Sequence, residues 1–346
     1  MPDIVFPYTD VSLTEQVNRI PNSFGLLNAM NLFPSEGMGS RFVRISFEDG
    51  VLMVLPAEEP GAPGKASERE AGKSIIVEIP HFPLPDTILP ADLQGILAQD
   101  GTVLKPKTLD SEVAKRLANI RANHAVTREF LRLGALKGLI KDGKGRTLYN
   151  LFTVFGIQKK TIDFVLGTAG TDVIAKCEEL FDHIQNNLKG ETSTGVEVIV
   201  SGTFFNKLVQ HAKVEKYWLQ TQNAQSLARF ERDRLGGNWG RVFEFQNIMF
   251  REYKGSLPVR NAEGVLTSQA NIESGYGHAY PVGTSSTFRT FDGPAVHINM
   301  VNEPGAEVVV TTKVLDHGAG IEFKSQSNTL PIVKRPEVLV EVNSSN

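Results

Sequence analysis

The chain has 346 residues, 41% of them hydrophobic and 31 of them glycine. This ordinary globular composition excludes wholesale disorder and, at roughly 150 residues per domain, suggests about two folding units. With 36 basic against 39 acidic side chains and a formal charge of -3, the chain is too balanced to hold nucleic acid by charge alone, so a polyanion must be met by a local patch. Its single cysteine, Cys177, allows no intramolecular disulfide and no thiolate metal cage, which excludes a disulfide-built secreted domain and points to a reducing compartment.

The opening Met1 to Pro7 lacks a basic stretch followed by an apolar one, so no secretory leader is expected. No run approaches the roughly 18 apolar residues of a membrane span, and a soluble protein is expected. Residues 1–36 scatter isolated apolar side chains among Pro2, Pro7, Pro21 and Pro34, with room for one or two helical turns at Leu13 to Asn18. They read as an arm that, if ordered, lies against its own subunit or a neighbour.

Val43, Ile45 and Phe47 alternate within a strand pattern over Arg41 to Leu55, and a second strand pattern covers Ser74 to Phe82. The polar, turn-rich residues 57–72 separate them, so residues 37–88 read as a long hairpin. A two-stranded ribbon is marginal alone in water and needs another surface to hold it. Asp110 to Lys137 is the best helix, opened by Asp110 or Ser111 and closed near Gly138. Its apolar face runs Val113, Leu117, Ile120, then Val126, Phe130, Leu133 and Leu136. The same helix carries Lys115, Arg116, Arg121, Arg128, Arg132 and Lys137 against Glu112 and Glu129. A solvated face is the plainer reading of that charge, and contact with a polyanion the sharper one.

Asp142-Gly143-Lys144-Gly145 marks a hairpin, with sheet expected to continue through Phe155. Strand, helix, strand, helix follow over Thr161 to Leu166, Thr171 to Leu188, Val196 to Ser201 and Phe204 to Trp218, an α/β layer. Strand and turn are expected from Arg241 onward. No fixed-period repeat is present, so solenoids and propellers are not expected.

The chemistry-bearing patterns are sparse. Gly167 to Asp172 lies between a predicted strand and a predicted helix, where a phosphate could sit, yet it lacks the Lys of a P-loop and the third glycine of a dinucleotide fingerprint. A plain turn capped by Thr171 or Asp172 is favoured, and a nucleotide-binding α/β enzyme is the rival from another class. The seven histidines, His81, His124, His183, His211, His278, His297 and His317, stand singly without ligand spacing, so no metal is expected. No nucleophile elbow appears, and Cys177 falls inside a predicted helix as a packing residue. Glu58-Glu59 and Glu178-Glu179 read as surface charge. No catalytic residue and no cofactor are expected.

A resemblance is carried by longer segments. The run Ser325 to Val340 (SQSNTLPIVKRPEVLV), with His278 to Gly283 (HAYPVG), Phe288 to Ala295 (FRTFDGPA), Gly145 to Phe152 (GRTLYNLF) and Leu13 to Asn18 ahead of Pro21 and Leu32-Phe33, resembles the lambda-type phage major capsid protein family, capsid protein E, over almost the whole chain. The resemblance implies an α+β fold of the Hong Kong 97-type, with residues 1–36 as N-terminal arm and 37–88 as E-loop. Residues 89–168 and 305–330 would be the P-domain with its spine helix over 110–137, and residues 169–304 and 331–346 the A-domain. It implies a structural protein, not an enzyme: the head protein of a tailed phage, assembled in the bacterial host cytoplasm. Copies would join through pentamers and hexamers into an icosahedral virion shell around packaged double-stranded DNA. A decoration or tail subunit is a second rival, against which the full-length match counts.

On this reading Glu58, Glu59, Lys65, Glu68, Arg69 and Glu70 of the E-loop meet neighbouring subunits. Lys115, Arg121, Arg128 and Arg132 would face the interior and touch DNA weakly or a scaffold. Portal and decoration proteins are further expected partners, and no membrane is. Lys65 and Lys73 are read as ordinary surface lysines.

Overall fold

The computed structural model describes residues 6–21, 24–46, 74–93, 109–220, 240–260, 265–300 and 303–345. The chain divides into two compact units, one of residues 1–43, 78–130 and 290–331 and one of residues 44–77, 131–289 and 332–346.

In the first unit, helix α1 (Asp10–Arg19) is ten residues long, nearly three turns rather than the expected one or two. The reason is a reciprocal cap. The Thr9 side chain accepts from Ser12 N–H while the Ser12 hydroxyl oxygen accepts from Thr9 N–H, satisfying donors that a free helix start leaves open. Leu13 and Val17 of α1 are fully buried in a core with Val113, Leu117, Val310 and Phe323. The short helix α2 (Leu26–Met30) follows, then strand β1 (Ser35–Gly37). β1 runs parallel to β14 (Phe288–Asp292), Ser35 opposite Thr290, and β14 neighbours β17 (Thr329–Val333).

A second antiparallel sheet has the order β15 (Val309–Val314), β16 (Ile321–Ser327), β4 (Phe82–Ile88). The predicted strand over Ser74 to Phe82 is therefore two pieces, broken at Pro80, which has no N–H to give a ladder. Its first piece, β3 (Ser74–Glu78), pairs with β2 (Phe42–Ser46) in a two-stranded ribbon. A single turn, α3 (Pro90–Leu93), follows β4.

The spine helix α4 (Leu109–Leu136) has 28 residues, about 42 Å at 1.5 Å per residue. Of its predicted apolar face, Val113, Leu117, Ile120, Leu133 and Leu136 are buried, while Val126 and Phe130 are half-buried.

In the second unit the expected hairpin is present as β5 (Leu139–Lys141) and β6 (Thr147–Asn150). The sheet does not continue through Phe155. Residues Leu151–Phe155 form helix α5, because the Asn150 side chain caps Thr153 N–H and Gly156, at φ 68, closes the turn in the left-handed region. The α/β layer is built from β7 (Lys160–Asp163), α6 (Val173–Asn187), β8 (Gly195–Val200) and α7 (Gly202–Gln210).

The strands that follow are β9 (Val242–Phe245), β10 (Ile248–Glu252), β11 (Ser256–Arg260), β12 (Leu266–Ala270), β13 (Tyr276–Val282) and β18 (Val340–Asn343). A mixed sheet has the order β7-β18-β13-β8-β10-β9, and β11 with β12 forms a separate ribbon. β8 is buried at five of its six residues, the near-continuous apolar run of a strand covered on both faces. Its Glu197 is offset by a two-pronged bond from Arg251 (3.0 and 3.1 Å) and by the Tyr280 hydroxyl (3.2 Å). Phe164, Leu180, Val198, Phe204, Phe250 and Val342 are fully buried around it.

Candidate assembly surfaces

Three arginines of the spine helix, Arg116, Arg121 and Arg128, are paired within the first unit. Arg116 bonds Asp86 of β4 (3.0 Å), Asp92 of α3 (3.1 Å) and Glu112 (3.2 Å). Arg121 meets Glu307 at 2.7 Å and donates to Ile20 C=O. Arg128 grips Asp292 through one nitrogen at 2.7 and 3.0 Å, reaches the Ser35 hydroxyl at 2.8 Å, and lies 3.3 Å from Glu307. Burial holds the Asp292 carboxyl above its ordinary range even with Arg128 beside it. Glu129, fully buried, accepts from Leu27 N–H (3.0 Å) and Asn28 N–H (2.9 Å), capping α2.

His124, buried beside Arg121 and Arg128, is pushed down to about 4, first by desolvation and then by the two guanidinium charges. Its Nε2 lies 3.1 Å from the Ser325 hydroxyl, which donates to Leu84 C=O, so Nε2 is the donor.

Of the four basic residues assigned to an interior face, Lys115 is exposed, whereas Arg121, Arg128 and Arg132 are buried. The exposed strip beside Lys115 is formed by Ala114, Ala118, Asn119, Ala122 and Asn123. The six E-loop residues Glu58, Glu59, Lys65, Glu68, Arg69 and Glu70 lie outside the described residues, as does Lys73. At the loop's base, Val43, Ile45 and Val77 are buried while Phe42 and Ile76 are 56% and 61% exposed. The Arg41–Glu78 ion pair (2.8 Å) flanks them.

Helix α1 lies on its own unit. Asp10, Thr14 and Asn18 of α1 fall on one stripe and bond the outer edge of β15. Asp10 accepts from Thr312 N–H (2.9 Å), and Thr14 accepts from Val310 N–H (3.1 Å). Asn18 accepts from Val308 N–H (3.2 Å) and donates to Val308 C=O (2.8 Å). Four helical residues rise about 6 Å and two strand residues about 6.6 Å, so side chains at i, i+4 and i+8 match backbone groups at alternate strand positions. The sequence signal was there, a polar stripe beside Leu13 and Val17, but its partner strand lies near the far end of the chain.

The Gly167 to Asp172 turn is closed by its own chain. Asp172 caps Ala175 N–H, the Thr171 hydroxyl donates to Val165 C=O, and Thr168 C=O lies 3.1 Å from the His211 ring. Cys177 is buried, and desolvation pushes its thiol up to about 12. Among the described residues no group of three or more His, Cys, Asp or Glu is placed to hold a metal, and no helix is long and apolar enough to cross a membrane.

A two-unit α+β chain with a long spine helix and a hairpin ribbon is the Hong Kong 97-type fold of phage capsid proteins. A solved prophage protein of E. coli CFT073, described as a capsid protein, shares the fold at a TM-score of 0.61 and 13% identity, covering 98% of this chain and 99% of its own. A phage-related protein of Bordetella bronchiseptica RB50 does so at 0.55 and 11%, with 97% of each chain covered. The chain belongs to the phage major capsid protein E family, whose profile matches residues 9–344. It is 30% identical to the major capsid protein of Salmonella phage Felix O1, over 96% of this chain and 95% of that one, and 28% identical to that of Pseudomonas phage KPP10, over 97% and 96%. The family is one of structural virion proteins, not enzymes.

Proposed function

We propose that copies of this chain associate through pentamers and hexamers into the icosahedral head of a tailed phage, assembled in the host cytoplasm and filled with double-stranded DNA. The full-length family match carries the reading. Residues 1–36 are the arm, 37–88 the E-loop, 89–168 and 305–330 the P-domain, and 169–304 and 331–346 the A-domain. The exposed Phe42 and Ile76 at the E-loop base suit burial by a neighbouring copy at about 25 cal/mol per Å². Glu58, Glu59, Lys65, Glu68, Arg69 and Glu70 set register through ion pairs worth about 0–1 kcal/mol each.

Interior contact with phosphates or a scaffold rests on Lys115, since Arg121 and Arg128 already have carboxylate partners within the chain. A near-neutral protein suits a container that must release its genome. Scaffold, portal and decoration proteins complete the partner set. Negative-stain microscopy with sedimentation, over a concentration series with crowding agent and co-expressed scaffold, tests the reading. Shells or rings of five and six are expected, and a compact monomer under every condition would overturn it.

A further inference from the structure

Backbone edges are treated unequally in this chain. The outer edge of β15 is covered by the side chains of α1. In the β11–β12 ribbon, Asn271 N–H bonds Gly255 C=O, and the register places Leu257 opposite Gln269 and Pro258 opposite Ser268. Antiparallel pairs alternate between bonded and non-bonded, so the Pro258–Ser268 pair turns its backbone groups outward. On the β11 side that outward position is Pro258, which has no N–H to offer. On the β12 side the outward residues are Leu266, Ser268 and Ala270, and no other strand neighbours β12 among the described residues. All five residues of β12 are exposed, and Leu-Thr-Ser-Gln-Ala contains no charge and no proline. Folded proteins ordinarily blunt such an edge with lysine, proline or a covering segment, as this chain does at β15 and β11.

We infer that β12 is an interface strand that pairs antiparallel with β12 of a second copy, joining two ribbons into one four-stranded sheet across a two-fold axis through Ser268. The sequence is self-complementary in that register. Leu266 stands opposite Ala270 of the second copy, Thr267 opposite Gln269, and Ser268 opposite Ser268, so apolar meets apolar and no like charges meet. All three outward residues then fall in bonded pairs, and Leu266, 65% exposed in the single chain, gains an apolar neighbour. A symmetric contact of this kind uses one patch twice. Pro258 blocks further strand addition at the far edge, which keeps the sheet from growing into a fibre. This contact rests on the reading of the chain as a self-associating shell protein.

The test is Ser268→Cys in the full chain under assembly conditions, with a short bis-maleimide cross-linker and a denaturing gel. Bonded antiparallel pairs hold their Cα atoms about 5.5 Å apart with both side chains on one face, within reach of a short bis-maleimide, and the native cysteine, Cys177, is buried. Most of the chain is expected to run as a covalent dimer, while Ser256→Cys on β11 stays monomeric. Ser268→Pro, which removes an N–H the ribbon does not use, is expected to weaken self-association by about tenfold or more. Particles in which the Ser268→Cys chain runs as a monomer, although its introduced thiol reacts with maleimide, would overturn this contact and leave the shell reading standing. Dimers without any larger particle would support the contact and overturn the shell reading; neither dimers nor particles would overturn both.

Discussion

The Thr14 hydroxyl serves both backbone groups of Val310, accepting from its N–H at 3.1 Å and donating to its C=O at 3.3 Å. A helix thereby does for β15 what a further strand would do. Thr14→Val keeps the shape and removes both bonds, leaving two part-buried strand groups without this partner. The expected cost is about 1–3 kcal/mol, read as a lower urea midpoint at unchanged slope. Thr14→Ser restores most of it, because the hydroxyl rather than the methyl makes the contact.

Arg128 and Asp292 form the most buried ion pair among the described residues, with side chains 3% and 4% exposed. Arg128→Met strands the Asp292 carboxylate in the interior and is expected to cost about 3–5 kcal/mol at pH 7. Asp292 has its pKa raised in the folded state, so the native chain binds that proton more tightly than the unfolded one. Its contribution is fullest below the unfolded value of 3.8 and is lost as pH rises through the folded one. The Arg128→Met deficit therefore shrinks on acidification, and the double variant Arg128→Met with Asp292→Leu is expected to recover most of the stability at neutral pH. Denaturant titrations at several pH values read both effects.

Gly25 sits at φ +93, and a Cβ there would come 2.2 Å from the Glu129 carboxyl carbon. Gly25→Ala then carries two penalties, a left-handed backbone and a collision with the buried cap of α2, together about 2 kcal/mol or more. Glu129→Gln keeps the volume and loses the charge from the bonds to Leu27 and Asn28, an expected loss of about 1–2 kcal/mol. Limited proteolysis near residues 24–31 should accelerate in both variants, whereas an exposed change such as Lys115→Gln should leave it unaltered.

What was legible from sequence follows the range of the interactions. The spine helix declares itself locally through its repeating apolar face, although it begins at Leu109, ahead of the expected cap at Asp110 or Ser111, and the β5–β6 hairpin does so at Asp142 to Gly145. Helix α5 was missed because Leu-Phe-Thr-Val-Phe reads as strand by propensity, while the Asn150 cap and the left-handed Gly156 decide it. Charge on the spine helix could be counted but not assigned. The carboxylates that draw Arg128 and Arg121 inward, Asp292 and Glu307, lie 164 and 186 residues away. Of the four residues assigned to an interior face, Lys115 alone is exposed and keeps the solvated place that the plainer reading gave the whole set. The function was legible for a different reason, since the family pattern is spread over nearly the full length.

His124 makes acid stability a local question. The unfolded ring takes its proton near 6.5 and the folded ring near 4, so the unfolded chain binds more protons throughout that interval, and stability falls as pH drops through it. The full contribution is present above pH 6.5 and is gone by about pH 4, a change on the order of 3 kcal/mol. His278, pushed down to about 3 by burial and by Lys137 and Lys159, adds a slope of the same sign in the other unit. His124→Gln retains an amide donor for Ser325 but has nothing to titrate. Its urea midpoint should therefore decline less steeply than the parent's as pH falls from 6.5 to 4. Equal slopes in the two proteins would assign the acid sensitivity to His278 and the carboxylates rather than to the spine helix.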